Sequence, residues 1–177
     1  MKRYPLARPH IGKKEERYVV EALRSGRHSM GPFIEEFEKK FAKFVGTRYA
    51  CAVSSGTAGL HLALIAAGVG KGDEVITSPY SFVASANAIL YVGAKPVFVD
   101  VDPKTFNIDP QKIEKAITRR TTAILPVHIF GQCAPMDAIM KIAKSNRLAV
   151  VEDACASLCS LYTGKDACSF GHSDFVS

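Results

Sequence analysis

Hydrophobic positions along this chain follow two periods, and the places where one gives way to the other outline its architecture. Between residues 12 and 24, Tyr18, Val19, Ala22 and Leu23 recur at helical spacing, and Ser25-Gly26 ends the run. Pro32 suits a first helical turn. Behind it Phe33, Ile34, Phe37, Phe41, Phe44 and Val45 make an aromatic stripe, the kind that faces a core or a second subunit. Short apolar runs at 49–53, 74–77, 95–100, 122–127 and 148–151 predict strands, with helical segments at 58–67, 83–91, 109–117 and 136–145 between them. Strand–helix units joined by short connections imply a largely parallel sheet with helices on both faces. Past residue 153 the pattern becomes irregular, with a turn at Thr163-Gly164-Lys165-Asp166 and a further strand beginning near Ser177.

Three junctions carry candidate chemistry. Ser54-Ser55-Gly56-Thr57 lies between a strand and a helix, where free backbone N–H groups and hydroxyls suit a phosphate. It is neither G-x-G-x-x-G nor a Walker A loop, and an ordinary helix cap by Ser55 or Thr57 accounts for it equally well. Phe82 follows the strand at 74–77, where its ring can stack on a flat heterocycle or join the core. Asp153 ends the apolar run Val150-Val151. In α/β sheets ligands bind outside the carboxyl ends of strands, so an acid there can hold a proton on a ligand's ring nitrogen; capping the next helix is the alternative.

Composition narrows the setting. At 177 residues and 47% hydrophobic, the chain has material for one sizeable core. No apolar run approaches the roughly 18 residues of a membrane span. The basic start lacks a signal peptide's apolar stretch, so no membrane and a cytoplasmic location are expected. Five cysteines, an odd number, then read as reduced thiols. The net charge of +6 permits an anionic partner. Because the lysines and arginines are scattered without interleaved aromatics, a phosphate-bearing small molecule fits better than nucleic acid. Cys155, Cys159, Cys168 and His172 lack the paired C-x₂-C spacing of structural zinc sites, so no metal is expected and buried thiols are the simpler reading.

Taken together, these segments resemble the N-terminal part of the DegT/DnrJ/EryC1/StrS family, pyridoxal-phosphate (PLP)-dependent aminotransferases of nucleotide-linked keto-sugars. The resemblance rests on Pro9-His10-Ile11-Gly12, on Ser25-Gly26, Gly31-Pro32 and Phe37-Glu38, and on Ser54-Ser55-Gly56-Thr57-Ala58. It continues through Gly72-Asp73-Glu74-Val75-Ile76, Gly93-Ala94-Lys95-Pro96-Val97-Phe98-Val99-Asp100, Val127-His128-Ile129-Phe130-Gly131 and Val151-Glu152-Asp153-Ala154.

The resemblance implies a three-layer αβα fold with a mostly parallel sheet, the large domain of fold-type I aminotransferases. Residues 1–177 would be the N-terminal segment and most of that domain, without the C-terminal small domain. It further implies that Gly56, Thr57 and Ser177 hold the PLP phosphate, that Phe82 lies on the pyridine ring, and that Asp153 pairs with the ring nitrogen. His28 and His128 would lie near the substrate. A homodimer is implied, with a nucleotide-linked keto-sugar as acceptor and an amino acid such as glutamate as donor. The family's Schiff-base lysine falls just beyond Ser177, and Lys165, in the predicted turn, matches a surface position. Histidine in place of that lysine would indicate a PLP-dependent sugar dehydratase; a chain complete at Ser177 would be an inactive remnant or regulatory partner. Two departures stand out. Ala156 replaces a Gln or His that touches the cofactor's phenolic oxygen, and Cys159 and Cys168 stand where glycine is usual, which strains the chain if φ is positive there.

Overall fold

The structure is a computed structural model that describes residues 8–166 and 175–177; Cys168 and His172 lie outside the described residues. Helix α1 (Lys13–Arg24) and helix α2 (Pro32–Val45) precede the α/β body. Next come α3 (Gly56–Ala66), β1 (Glu74–Thr77), α4 (Ala84–Tyr91), β2 (Lys95–Phe98), α5 (Pro110–Ala116), β3 (Thr121–Leu125), α6 (Met136–Asn146) and β4 (Ala149–Glu152). A hairpin of β5 (Leu161–Tyr162) and β6 (Lys165–Asp166) follows, then β7 (Phe175–Val176). Its turn residues Thr163 and Gly164 both have positive φ, as a two-residue hairpin loop that follows the sheet twist requires.

The five-stranded sheet has the order β2-β1-β3-β4-β7, all parallel. Its period-2 alternation is apolar on both faces, which is what a sheet covered on both sides demands. Val75, Ala123, Leu125 and Val151 pack with Leu60 and Leu64 of α3 and Ala88 and Ile89 of α4. Their neighbours Ile76, Ile124 and Val150 face the opposite way, onto Ile113 of α5 and Ile139 of α6. The result is the expected three-layer αβα sandwich. Among the described residues no helix is long and apolar enough to cross a membrane.

One charged group is buried at the amino-terminal end of this sheet. Glu74 receives the Thr118 hydroxyl on Oε2 (2.6 Å) and the Arg120 guanidinium on Oε1 (2.7 Å). These hydrogen bonds hold its carboxyl below the usual glutamate range. Because the folded value is depressed, the stability it brings is present above the ordinary glutamate pKa and lost as the pH falls through the folded one.

One sequence expectation needs correction, and one is met in part. Residues 49–53 form no strand: an apolar run becomes a strand only where a neighbour supplies a ladder, and side chains tie this backbone instead. The Glu38 carboxylate takes the Ala52 N–H (2.8 Å), and the Thr47 hydroxyl donates to the Tyr49 carbonyl (3.0 Å). The aromatic stripe of α2 is also divided. Ala42 and Val45 are buried and Phe41 packs beside Val45 and Ala154, whereas Ile34, Phe37 and Phe44 are exposed.

The strain anticipated at Cys159 is present, since its φ is +66°. Cys159→Gly should raise stability by about 1 kcal/mol, because glycine adopts this conformation without a Cβ clash; a rise in the urea midpoint at unchanged slope measures it. For Glu74, the stability advantage of the wild type over Glu74→Gln should shrink as the pH drops from 6 to 3, followed by chemical denaturation at each pH.

Candidate active site

Strands β1, β3, β4 and β7 end side by side, and the chain continues their pairing past the regular ladder. The Asp153 N–H donates to the Pro126 carbonyl (2.9 Å), and the Asp153 carbonyl accepts from the His128 N–H (3.0 Å). On the other side Ser177 N–H donates to the Glu152 carbonyl (2.9 Å), and Ala154 N–H to the Ser177 carbonyl (2.7 Å). The peptide units carrying Asp153 are thus held by both neighbouring strands. Since Val151 faces α3 and α4, alternation sends Asp153 to that side and Glu152 to the other.

The Asp153 carboxylate, 7% exposed, meets Ser85 on α4, whose hydroxyl lies 2.7 Å from Oδ2. Ser81 Oγ is 2.7 Å from Ser85 Oγ. Each hydroxyl has one proton, so the order that satisfies the charged acceptor is Ser81 to Ser85 to Asp153. The Ser85 N–H also donates to the Phe82 carbonyl (3.2 Å), which fixes the segment bearing Phe82 relative to the acid. The Phe82 ring is 78% exposed and free to meet a ligand. Oδ1 of Asp153 accepts the Cys155 N–H (3.3 Å). The Cys155 thiol is pushed up to about 11, first by burial and then by repulsion from Asp153, so it stays protonated.

Gly56 and Thr57 open α3. Ser55 caps the helix by accepting the Ala58 N–H on its hydroxyl (3.2 Å), and the N–H groups of Gly56 and Thr57 point out of the helix start, as first-turn N–H groups do. The cap and the phosphate readings of this segment are therefore compatible. Two glycines bring it against the strand ends. A Cβ on Gly56 would lie 2.5 Å from Cys155 Sγ, and one on Gly59 2.5 Å from Ser177 Oγ. The Ser177 hydroxyl donates to the Gly56 carbonyl (3.2 Å). Gly56, Phe82, Asp153 and Ser177 are consequently linked through hydrogen bonds, with Thr57 next to Gly56 at the helix start on one side and the acid on the other.

The two histidines lie elsewhere. His128 is fully buried: its Nδ1 accepts the Ala134 N–H (3.0 Å), so its proton is on Nε2, 2.7 Å from Oε2 of the equally buried Glu152. With both ring nitrogens engaged behind the sheet end, His128 holds the strand ends together and has no polar ring atom to offer a substrate. His28, between α1 and α2, is exposed and donates to the Leu23 carbonyl (3.0 Å); no described contact brings it to the cluster. Ala156 is exposed and offers no polar side-chain atom. A cleft of about 480 Å³ between α5 and α6, lined by Asn107, Asp109, Cys133 and Tyr162 among others, shares no residue with the cluster. Sequence reading missed Ser85, whose signal is a small polar residue on an otherwise apolar helix face one turn after Phe82. It also missed the pairing of His128 with Glu152.

A doubly covered parallel sheet with an acid at a strand end and a glycine-opened helix start is the frame of an α/β enzyme that holds a flat, phosphate-bearing ligand. The chain belongs to the DegT/DnrJ/EryC1/StrS aminotransferase family, which it matches over residues 9–177. It is 50% identical over 167 residues to the spore coat polysaccharide biosynthesis protein SpsC of Bacillus subtilis, covering 94% of this chain and 43% of that protein. Identity to the GDP-perosamine synthase of Caulobacter vibrioides is 46% over 170 residues, 96% of this chain and 46% of the synthase. The solved structure of NtdA from Bacillus subtilis, with bound cofactor PMP, matches at a TM-score of 0.83 and 41% identity, over 91% of this chain and 36% of that one. The chain spans less than half the length of these relatives.

Aminotransferases of this family bind PLP, and the residues here fit that cofactor. The first-turn N–H groups of Gly56 and Thr57 take no partner among the described residues, which suits a phosphate, and the Ser85-supported carboxylate suits a protonated ring nitrogen. If the approach at Gly56 matters, Gly56→Ala should destabilise the protein by about 1–3 kcal/mol through overpacking. Adding Cys155→Ala, which removes the clashing sulfur, should restore most of that loss; a thermal-melt double-mutant cycle measures the coupling.

Proposed function

We propose that these residues form the cofactor-holding part of a PLP-dependent aminotransferase that, in the whole protein, moves an amino group from an amino acid, glutamate in this reading, to a nucleotide-linked keto-sugar. The observation that carries the proposal is the convergence of Asp153, Phe82, Gly56, Thr57 and Ser177 in one cluster. Supporting the substrate class, relatives that are 50% and 46% identical to this chain over the matched stretch include a spore coat polysaccharide biosynthesis protein and a GDP-perosamine synthase.

When bound, PLP supplies an electron sink through its protonated pyridine ring. The roles of the protein groups follow from their placement. Asp153 would keep the proton on the ring nitrogen, because its carboxylate is buried, held by the Ser85 hydroxyl and the Cys155 N–H, and carried on a backbone that both neighbouring strands fix. The Gly56 and Thr57 N–H groups at the start of α3 would hold the phosphate, together with the neighbouring Ser177 hydroxyl. Phe82 covers one face of the ring and keeps water from it. The amine that attaches the cofactor belongs to a lysine beyond these residues. The protein works as a homodimer in the cytoplasm; the exposed Tyr18, Val19 and Leu23 of α1 and Phe37 and Phe44 of α2 supply apolar surface for a second subunit.

Asp153→Asn in the full-length protein tests the assignment. It should retain bound cofactor, read from the visible absorbance, while turnover falls by roughly two orders of magnitude, the size typical of removing one preorganised electrostatic group. Turnover close to the wild-type value would refute the role given to Asp153.

A further inference from the structure

Beside the cofactor cluster three aromatic rings form an exposed corner. Tyr80 lies in the loop between β1 and Phe82, Phe106 follows β2, and Phe130 follows β3. All three therefore stand at the carboxyl ends of strands, where α/β sheets take their ligands. The Tyr80 and Phe106 rings lie 5.4 Å apart at 33°, and the Phe130 ring stands almost perpendicular to Tyr80, 6.1 Å away at 83°. Tyr80 and Phe106 are 44% and 46% exposed and Phe130 78%. Two roughly parallel rings with a third as a side wall make a corner that presents a ring face and a ring edge together.

The backbone makes this corner at a cost. Phe106 has φ +59° and Phe130 φ +52°, a conformation that is uncommon for any residue but glycine and an outlier for a bulky one. Such strain persists only where the surroundings impose it. At Phe106 the tight turn between Val101 and Ile108 imposes it, with the Phe106 N–H on the Asp102 carbonyl (2.8 Å) and the Asp102 N–H on the Asn107 carbonyl (2.9 Å). Asn107, 2% exposed, links that turn to the next loop: its Nδ2 donates to the carbonyls of Gln132 (3.0 Å) and Cys133 (3.2 Å) and its Oδ1 accepts the Ile129 N–H (3.3 Å). One buried amide thereby ties the residue after Phe106 to both flanks of Phe130. Strained backbones that bury a ring would be repaid by packing. These instead hold the rings open to solvent, and they adjoin the cofactor cluster through the short segment from Ser78 to Phe82, where Ser78 Oγ accepts the Tyr80 N–H (3.0 Å) and Ser81 enters the chain to Asp153.

We propose that Tyr80, Phe106 and Phe130 form a stacking platform for the nucleobase of the sugar nucleotide, placing the nucleotide on the β2 side of the cofactor cluster. This rests on the nucleotide-linked substrate class proposed above. A base has the flat π surface that such a corner accepts, and stacking of this kind tolerates any base, so the platform contributes affinity and position while discrimination between bases is left to other groups.

Glycine substitution tests the platform in the full-length, PLP-loaded protein, because glycine removes the ring and also accepts the positive φ. UDP, dTDP and GDP are titrated by calorimetry, and the tightest of them is carried through the variants. Phe130→Gly and Phe106→Gly should each weaken that nucleoside diphosphate about tenfold, leave PLP binding unchanged, and raise the melting temperature by relieving strain. Unchanged nucleotide affinity in both variants would overturn the platform while leaving the nucleotide-sugar reading intact. A lowered melting temperature with unchanged affinity would overturn it as well, and would show that the rings are covered by another part of the protein or a second copy. Failure of the wild type to bind any of the three nucleotides would remove the substrate class and the platform together.

Discussion

The pairing of β4 with both neighbours beyond its last regular residue is the constraint on which the site depends. A parallel ladder normally fades at the strand ends, where the chain turns into a loop. Here the Asp153 N–H and carbonyl are taken by Pro126 and His128, and Ser177 bonds to Glu152 and Ala154 on the opposite edge. The residue after β4 consequently keeps strand geometry, and with it strict alternation of sides. That alternation sends two adjacent acids in opposite directions: Glu152 toward His128 and Asp153 toward Ser85. A one-residue slip in register would exchange them.

The two acids are treated differently by their surroundings. Glu152 is fully buried, with Oε2 on His128 and Oε1 without a partner among the described residues. A half-satisfied buried carboxylate lowers stability compared with an apolar side chain of similar size, so His128 and Glu152 are better understood as fixing geometry than as adding strength. They cross-link the two segments whose backbones meet at the bridge between Val127 and Asp153. Asp153 has a hydrogen bond on each carboxylate oxygen and retains slight exposure toward the cluster. A charged group with firm support and one open approach can act on a ligand without rearranging.

Much of this was legible in the sequence. Strand β1 falls at its predicted residues, the other strands of the sheet and all six helices lie within a few residues of theirs, and Asp153 stands at the predicted strand end. Those features depend on local periodicity, caps and turn residues. The failures involve partners. Residues 49–53 have strand composition, yet no strand lies beside them among the described residues to accept a ladder. His128 was placed near the substrate by the resemblance alone; its burial follows from Glu152 and Ala134, which are 24 and 6 residues away. Ser85 stands out as a polar residue on an apolar helix face, but nothing local announces its partner, an acid 68 residues later. The glycine at position 56 was read for its role at a helix start, but the neighbour that requires it, Cys155, comes from another strand end.

Left-handed backbone separates two kinds of departure from local preference. Cys159 is exposed at φ +66°, at the third position of a turn closed by the Ser160 N–H on the Ser157 carbonyl (2.9 Å), and no described side-chain contact exploits its thiol. Phe106 and Phe130 adopt the same unfavourable region, but Asn107 holds both loops with three hydrogen bonds and the two rings converge on Tyr80. The turn that needs Phe106 in this conformation is thereby tied to the loop of Phe130, and both rings stay in the open. The position of that construction, at the carboxyl ends of β1, β2 and β3 and one short loop from Asp153, makes a ligand the natural recipient.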